Sequence, residues 1–222
     1  MASDRPAASA SIVPITRKLA TGEDVSALEP NPRTLEDVRI LAMPQGGMDR
    51  LSFTTWDTIE VAGHGEDTFQ LQGHYMIERR DPTSSVWSDA SVEIFMREMS
   101  VTGFSEKFGQ VHATLNTEDS ERISKGQVLP GTKYPGLLDG PKMCVMDGFM
   151  MFNLPDAGLT LFNKEPIRLQ HHITHIPPIG QGGGTQGRVN IKLYLRDAPD
   201  DPPVATLREV RTHIGAWLPD RD

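Results

Sequence analysis

The sequence contains a single cysteine, Cys144. One thiol cannot form an intramolecular disulfide, so a reducing compartment fits the chain better than a secreted, disulfide-stabilised scaffold. Cys144 lies within a run of apolar residues that includes four methionines between positions 143 and 151. We therefore expect it to be a buried, inert cysteine in a soft and adaptable interior.

Clusters of lysine and arginine are also missing, and the formal net charge is −8. Nucleic acids and anionic membranes are bound mainly through such clusters, so both are disfavoured as partners. No apolar run approaches the roughly 18 residues of a membrane span. The first ten residues lack the apolar core of a signal peptide. We expect a soluble, cytoplasmic protein.

Glycine and proline are frequent, at 20 and 17 of 222 residues, and they are scattered between short apolar runs. This spacing is typical of many short strands. Residues 1–33 show no sustained periodicity and are expected to form a flexible N-terminal arm. Residues 34–222 are expected to form a single β-rich domain, with a short helix after Thr34.

Several segments alternate between apolar and polar residues, as half-buried strands do. The clearest are 51–61, 69–77, 111–115 and 189–195, and Asp57 is the one charge on the apolar face of the first. The sequence therefore predicts a mainly antiparallel sandwich or barrel of about eight to ten strands with one or two peripheral helices.

Other segments are ambiguous or irregular. Residues 88–101 fit a helix and a strand almost equally, and a strand that continued its alternation would turn Glu98 inward. Residues 204–218 favour a terminal helix, because Leu207, Val210 and Ile214 recur at helical spacing. Asp147-Gly148 predicts a hairpin turn, with one continuous strand as the alternative. Residues 116–141 read as a long loop.

Three of the seven histidines lie in the segment 167–176. Read as a strand, this segment places His171 and His175 on an apolar face with isoleucine and leucine, and His172 on the opposite face. Burial should lower the pKa of such a histidine unless a carboxylate compensates. The glycine-rich segment 180–187 follows, and it predicts a flexible hairpin loop or a flap over a cavity. It lacks the Lys-Ser or Lys-Thr of a phosphate-binding loop.

The histidines suggest two kinds of site. In acid–base chemistry a carboxylate would orient His171 or His175, and the candidates are Asp57, Glu98 and Asp147. In a site for a single transition-metal ion the candidate ligands are His171, His175, His112 and His213. On a strand, however, His171 and His175 lie roughly 13 Å apart, too far to share one ion without a bulge or other ligands.

The leading functional prediction is a small-molecule-binding barrel or sandwich whose cavity is lined by His171, His175 and methionines. A more specific version of this prediction adds isomerase- or cyclase-like activity on the bound molecule. One alternative is a histidine-ligated, metal-dependent oxidoreductase. Another is a non-catalytic oligomeric or interaction module, and a homo-oligomer is compatible with each.

Overall fold

The computed structural model describes residues 44–86, 89–118, 120–130 and 141–219. The predicted N-terminal arm and the helix after Thr34 lie outside these ranges. The described residues form 12 strands: β1 Gly47–Val61, β2 Gly65–Arg79, β3 Val92–Ser105, β4 Gly109–Leu115, β5 Lys125–Val128, β6 Lys142–Gly148, β7 Met150–Leu154, β8 Leu159–Asn163, β9 Ile167–Ile173, β10 Gly182–Gly184, β11 Ile191–Leu195 and β12 Ala205–Trp217. Their one helical segment is the single turn Pro155–Ala157. The predicted mainly β, antiparallel fold is confirmed.

The strands close into a barrel with eight positions around its wall. Four positions are filled by the long strands β12, β1, β2 and β3, which pair in that order. Each of the other four is shared by two short strands, one in each half of the barrel. The ring is completed by β4, β7, β8 and β11 in one half, and by β5, β6, β9 and β10 in the other. Closure on both sides leaves no unpaired sheet edge along the long strands.

The long hairpin of β1 and β2 follows the predicted alternation. Every second side chain of β1, from Asp49 to Asp57, is buried, and the side chains between them are half-buried. The inward side chains of β2 from Phe69 to Ile77 belong to the same core. The barrel interior is therefore the hydrophobic core, as period-two patterning requires.

Two β-bulges account for the segments with mixed periodicity. In β3, Met76 pairs with Glu98 and Ile77 pairs with Met96, so Arg97 is an extra residue. In β12, Thr58 pairs with Glu209 and Ile59 pairs with Leu207, so Arg208 is an extra residue. Beyond each bulge the inward face shifts by one residue.

The structure therefore corrects one of the two ambiguous assignments. Residues 92–105 form a strand, as favoured. The predicted terminal helix over 204–218 is wrong, because 205–217 form strand β12. Leu207, Val210 and Ile214 have near-helical spacing because the bulge at Arg208 inserts one residue into a period of two.

Asp147-Gly148 does not form the predicted hairpin. β6 pairs with β5 and β9, whereas β7 pairs with β4 and β8, so the chain passes from one half of the barrel to the other at Phe149. The Asn163 side chain bridges this break, since its amide donates to the Gly148 carbonyl (3.0 Å) and its oxygen accepts from the Met150 backbone N–H (2.7 Å). This arrangement is close to the alternative of one continuous strand.

The long segment 116–141 is not all loop, because it contains strand β5, and residues 131–140 lie outside the described ranges.

The described ranges contain no helix that is long and apolar enough to cross a membrane.

Candidate ligand cavity

A cavity lies inside the half of the barrel formed by β5, β6, β9 and β10, beneath the loop that follows β9. We call it the loop-side cavity, and its volume is about 60 Å³. One buried water needs about 10–15 Å³, so the cavity has room for more than a single solvent molecule. Its walls are mostly apolar, and its lining includes Leu51, Phe53, Tyr75, Ile77, Met96, Cys144, Met146, Leu169, His171, Ile173, Ile176, Pro177 and Pro178.

A second, smaller cavity of about 20 Å³ lies deeper in the barrel, and we call it the inner cavity. Both cavities are lined by Phe53 and Leu169, so they are neighbours separated by those side chains. The polar lining of the inner cavity consists of Thr55, Asp57 and Thr212. Movement of Phe53 or Leu169 would join the two spaces into one elongated apolar site.

His171 is buried at the boundary of this polar region. Its Nε2 lies 2.7 Å from the Thr212 hydroxyl, and its side chain is shielded by strand β10. Burial lowers the pKa of His171 to about 4. The imidazole is therefore neutral at pH 7 and acts as a hydrogen-bonding group in an apolar wall.

Asp57 is the second titratable group of the polar region. Thr212 pairs with Thr55 across β12 and β1, and the Thr55 hydroxyl donates to Asp57 at 2.5 Å. Burial raises the pKa of Asp57 to about 7, and the hydrogen bond from Thr55 opposes that rise. A carboxyl group that titrates near neutral pH can accept or donate a proton under physiological conditions. His171, Thr212, Thr55 and Asp57 form what we call the interior polar band.

An ion pair lies at the end of the loop-side cavity. Arg79 donates from Nε and Nη2 to the two carboxylate oxygens of Asp49, and Nη1 donates to the Gln45 carbonyl at 2.6 Å. Both side chains are nearly buried, at 11% and 2% exposure. Each nitrogen of this guanidinium group thus has a protein partner, so the pair seals the wall and leaves no unpaired cation there.

Cys144 is buried in the wall of the loop-side cavity, directly opposite His171 in the pairing of β6 and β9. Burial raises the pKa of its thiol to about 12. At pH 7 the side chain is a neutral thiol, which agrees with the expectation of an unreactive cysteine.

His171 and His172 face as predicted, the first buried and the second exposed. The inward placement of His175 is wrong. Strand β9 ends at Ile173, and His175 lies exposed in the following loop, where its Nε2 is 3.1 Å from the Ile179 carbonyl oxygen. Beyond His175, the residues Ile176, Pro177 and Pro178 line the loop-side cavity.

Glu98 and Asp147 lie on the outer face of the barrel. The bulge at Arg97 turns Glu98 outward, where its carboxylate is 2.7 Å from Nε2 of His74. Asp147 forms a two-pronged ion pair with Arg168 at 2.7 Å, on the outer face of β6 and β9. The structure does not bring either carboxylate to His171.

The four predicted metal ligands are not assembled either. His171 is inside the barrel, His175 is in the exposed loop and His213 is exposed on β12. His112 is on the outer face of β4, where its Nε2 lies 3.1 Å from the Ser100 hydroxyl. Across the ranges that the structure describes, no group of three or more His, Cys, Asp or Glu side chains is placed to hold a metal ion.

The glycine segment is a structural part of the wall. Gly182–Gly184 form β10, which pairs with β9 and β12, so the predicted flexible flap is wrong for these residues. A Cβ atom on Gly183 would lie 2.2 Å from Cδ2 of His171 and 2.4 Å from the Gln170 carbonyl oxygen. Glycine is required there because the strand backbone packs directly against the imidazole.

The alternation of β1 and β2 in the sequence already places Asp57 and Tyr75 on apolar faces. What it does not reveal is the pairing of Thr55 with Thr212, which connects Asp57 to His171 across β12. That connection depends on the barrel closing between β1 and β12, which pairs Thr55 with Thr212, a residue 157 positions further along the chain (212 − 55).

Fold and cavity together define the protein as a closed antiparallel β-barrel with a largely apolar interior. The chain belongs to the Family of unknown function (DUF6073), whose model matches residues 8–222. It is similar to the solved structure of DynF from the dynemicin biosynthesis pathway of Micromonospora chersina, at 34% sequence identity and a TM-score of 0.73. The match covers 81% of this chain and 84% of that chain. Curated proteins provide no match.

Proposed function

We propose that the barrel binds an apolar small molecule in the loop-side cavity. The observation that carries this proposal is a cavity with almost wholly apolar walls, bordered by a few buried polar groups. Ligand sites commonly combine apolar walls with a small number of placed hydrogen-bonding groups. The inner cavity provides room for a longer ligand when Phe53 or Leu169 moves aside.

The similarity to DynF supports the same proposal. DynF comes from a biosynthesis pathway, and by this analogy we infer a small organic molecule as the ligand of this barrel. A barrel of this family with an apolar interior is suited to hold such a molecule away from water.

The finer proposal is isomerase- or cyclase-like acid–base chemistry on the bound molecule. Its support is Asp57, whose pKa of about 7 makes both protonation states available at neutral pH. In a proton shift, the Asp57 carboxylate would take a proton from a carbon atom and return it to another position of the same molecule. The neutral imidazole of His171, linked through Thr212, would add a hydrogen-bonding group to the same band.

A cavity-filling replacement tests the binding proposal. Cys144→Phe places an aromatic ring in the loop-side cavity, so the affinity for N-phenyl-1-naphthylamine, whose emission rises in apolar surroundings, should fall at least about tenfold. The measurement is a fluorescence titration of the full chain, with a melting curve to establish that the variant is folded.

Val145→Phe is the matched control, because Val145 is the next residue of β6 and lies on the opposite face. It should bind the dye as the wild-type protein does. Equal affinity of the two folded variants, or no binding by the wild-type protein, would contradict an interior ligand site.

A further inference from the structure

Tyr75 has a buried hydroxyl group that has no hydrogen-bond partner in the described part of the chain. The side chain points inward from β2, is 5% exposed and lines the loop-side cavity. Its ring packs edge-on against Phe53, with centroids 4.9 Å apart. Among the residues that the structure describes, none makes a hydrogen bond to the hydroxyl. Buried tyrosine hydroxyls usually have a partner, because an unsatisfied one loses its hydration without compensation.

The surroundings of Tyr75 keep this hydroxyl protonated. Burial raises its pKa above the usual value of 10, and the nearby Cys144 and Asp49 add to the rise. Cys144 belongs to β6, which β3 and β5 separate from β2 around the wall, so its influence acts across the interior. The hydroxyl therefore offers a hydrogen-bond donor to the cavity at neutral pH.

Two other polar side chains around the loop-side cavity, His171 and Arg79, already make hydrogen bonds. Nε2 of His171 is bonded to Thr212, and the nitrogens of Arg79 are taken by Asp49 and the Gln45 carbonyl. A ligand carboxylate would find no unpaired cation in this lining and would lose its hydration. A neutral oxygen acceptor, in contrast, would satisfy the Tyr75 hydroxyl at little desolvation cost.

We propose that the Tyr75 hydroxyl is the donor that holds a carbonyl oxygen of the ligand, and that the ligand class is uncharged, largely apolar carbonyl compounds. This inference rests on the proposed interior binding site and specifies the chemistry that the site recognises. The carbonyl group would lie in the loop-side cavity, with the apolar remainder against Phe53, Met146 and Leu169.

Three molecules of nearly the same shape test the inference: acetophenone, α-methylstyrene, which replaces the carbonyl oxygen with a CH₂ group, and benzoate, which is charged. Each is titrated into the full chain and into Tyr75→Phe, which removes only the hydroxyl. The replacement should weaken acetophenone binding about five- to tenfold and leave α-methylstyrene binding unchanged. Benzoate should bind at least about tenfold more weakly than acetophenone.

The carbonyl stretch of bound acetophenone gives a second readout. Its infrared frequency should be lower in the wild-type protein than in Tyr75→Phe, because a hydrogen bond weakens the C=O bond. Tyr194→Phe is the control, since Tyr194 neighbours the inward-facing Leu193 and points to the outer face of β11. It should change neither the affinities nor the frequency.

The outcomes separate the two proposals. An equal effect of Tyr75→Phe on acetophenone and α-methylstyrene, with no change in the stretch, overturns the role of Tyr75 and leaves interior binding intact. Tightest binding by benzoate overturns the ligand class. Failure of all three molecules to bind the wild-type protein overturns the inference together with the proposed function.

Discussion

Replacement of Asp57 with asparagine is expected to stabilise the protein by about 4 kcal/mol at pH 8 and to have little effect below pH 4. Burial raises the pKa of Asp57 from 3.8 to about 7. Between these values the folded chain keeps the proton that the unfolded chain has lost, so the free energy of unfolding falls as the pH rises from about 4 to 7. A shift of about three pKa units corresponds to about 4 kcal/mol.

Asparagine does not ionise, so the Asp57→Asn variant keeps the stability that the wild-type protein loses as the pH rises. The asparagine side-chain oxygen still accepts a hydrogen bond from the Thr55 hydroxyl. Urea denaturation of both proteins at several pH values between 4 and 8 measures the difference. Asp147→Asn is the control: that carboxylate is paired with Arg168 on the outer face, so the change should cost less than about 1 kcal/mol. A variant Asp57→Asn that is less stable than wild type at pH 8 would show that the buried carboxylate is stabilised as an ion.

The same Asp57→Asn replacement is expected to remove acid–base activity. Acetone in D₂O exchanges its methyl protons when a base removes a proton and the resulting enolate takes up a deuteron. Acetone is small and uncharged, and we expect it to reach Asp57 when Phe53 or Leu169 moves aside and joins the inner cavity to the loop-side cavity. We expect the wild-type protein to accelerate this exchange increasingly as the pH rises through about 7, and Asp57→Asn to lose roughly 100-fold of the acceleration.

Proton NMR of the acetone methyl signal measures the rate. The balance of the step is simple: the proton moves to the Asp57 carboxylate, exchanges there with solvent deuterium, and a deuteron returns to the carbon. Asp147→Asn should keep the wild-type rate. Wild-type protein that is no faster than Asp57→Asn would remove the finer, catalytic proposal and leave ligand binding untouched.

The sequence allowed prediction of the barrel wherever the alternation of a strand was uninterrupted. β1 and β2 have 15 residues each, and their inward faces could be read directly, including Asp57 and Tyr75. A strand can turn only one of its two faces toward the core, and the face that carries the apolar residues is the one that is buried. This is why residues of the interior could be recognised from the pattern of single strands.

The bulges could not be predicted because they change the period at a single residue. Arg97 and Arg208 each add one residue opposite a regular partner strand, and the inward positions on either side are then three apart. The same spacing is found on one face of a helix. A single sequence therefore favours a helix at β12 and turns Glu98 to the wrong face of β3.

The site was predicted only in part because its closure is non-local. His171 was placed correctly by its neighbours in β9, but His175 lies beyond the point at which the strand ends. The glycines of β10 read as a flexible segment, whereas the close approach of Gly183 to the His171 ring explains their presence. The end of β9 and the contact between Gly183 and His171 both depend on how β9 and β10 pair. The alternation of residues within one strand does not predict that pairing.

The central claim is that the ligand lies inside the barrel, and nuclear Overhauser contacts between a bound apolar molecule and methyl groups test it most directly. With α-methylstyrene bound to protein carrying labelled methionine, leucine and valine methyl groups, we predict contacts to Met146 and Leu169, which line the loop-side cavity. Met143 and Val145 lie on the outer, half-exposed face of β6 and should show none. Contacts confined to Met143 and Val145, with none to Met146 or Leu169, would place the ligand on the surface and contradict the claim.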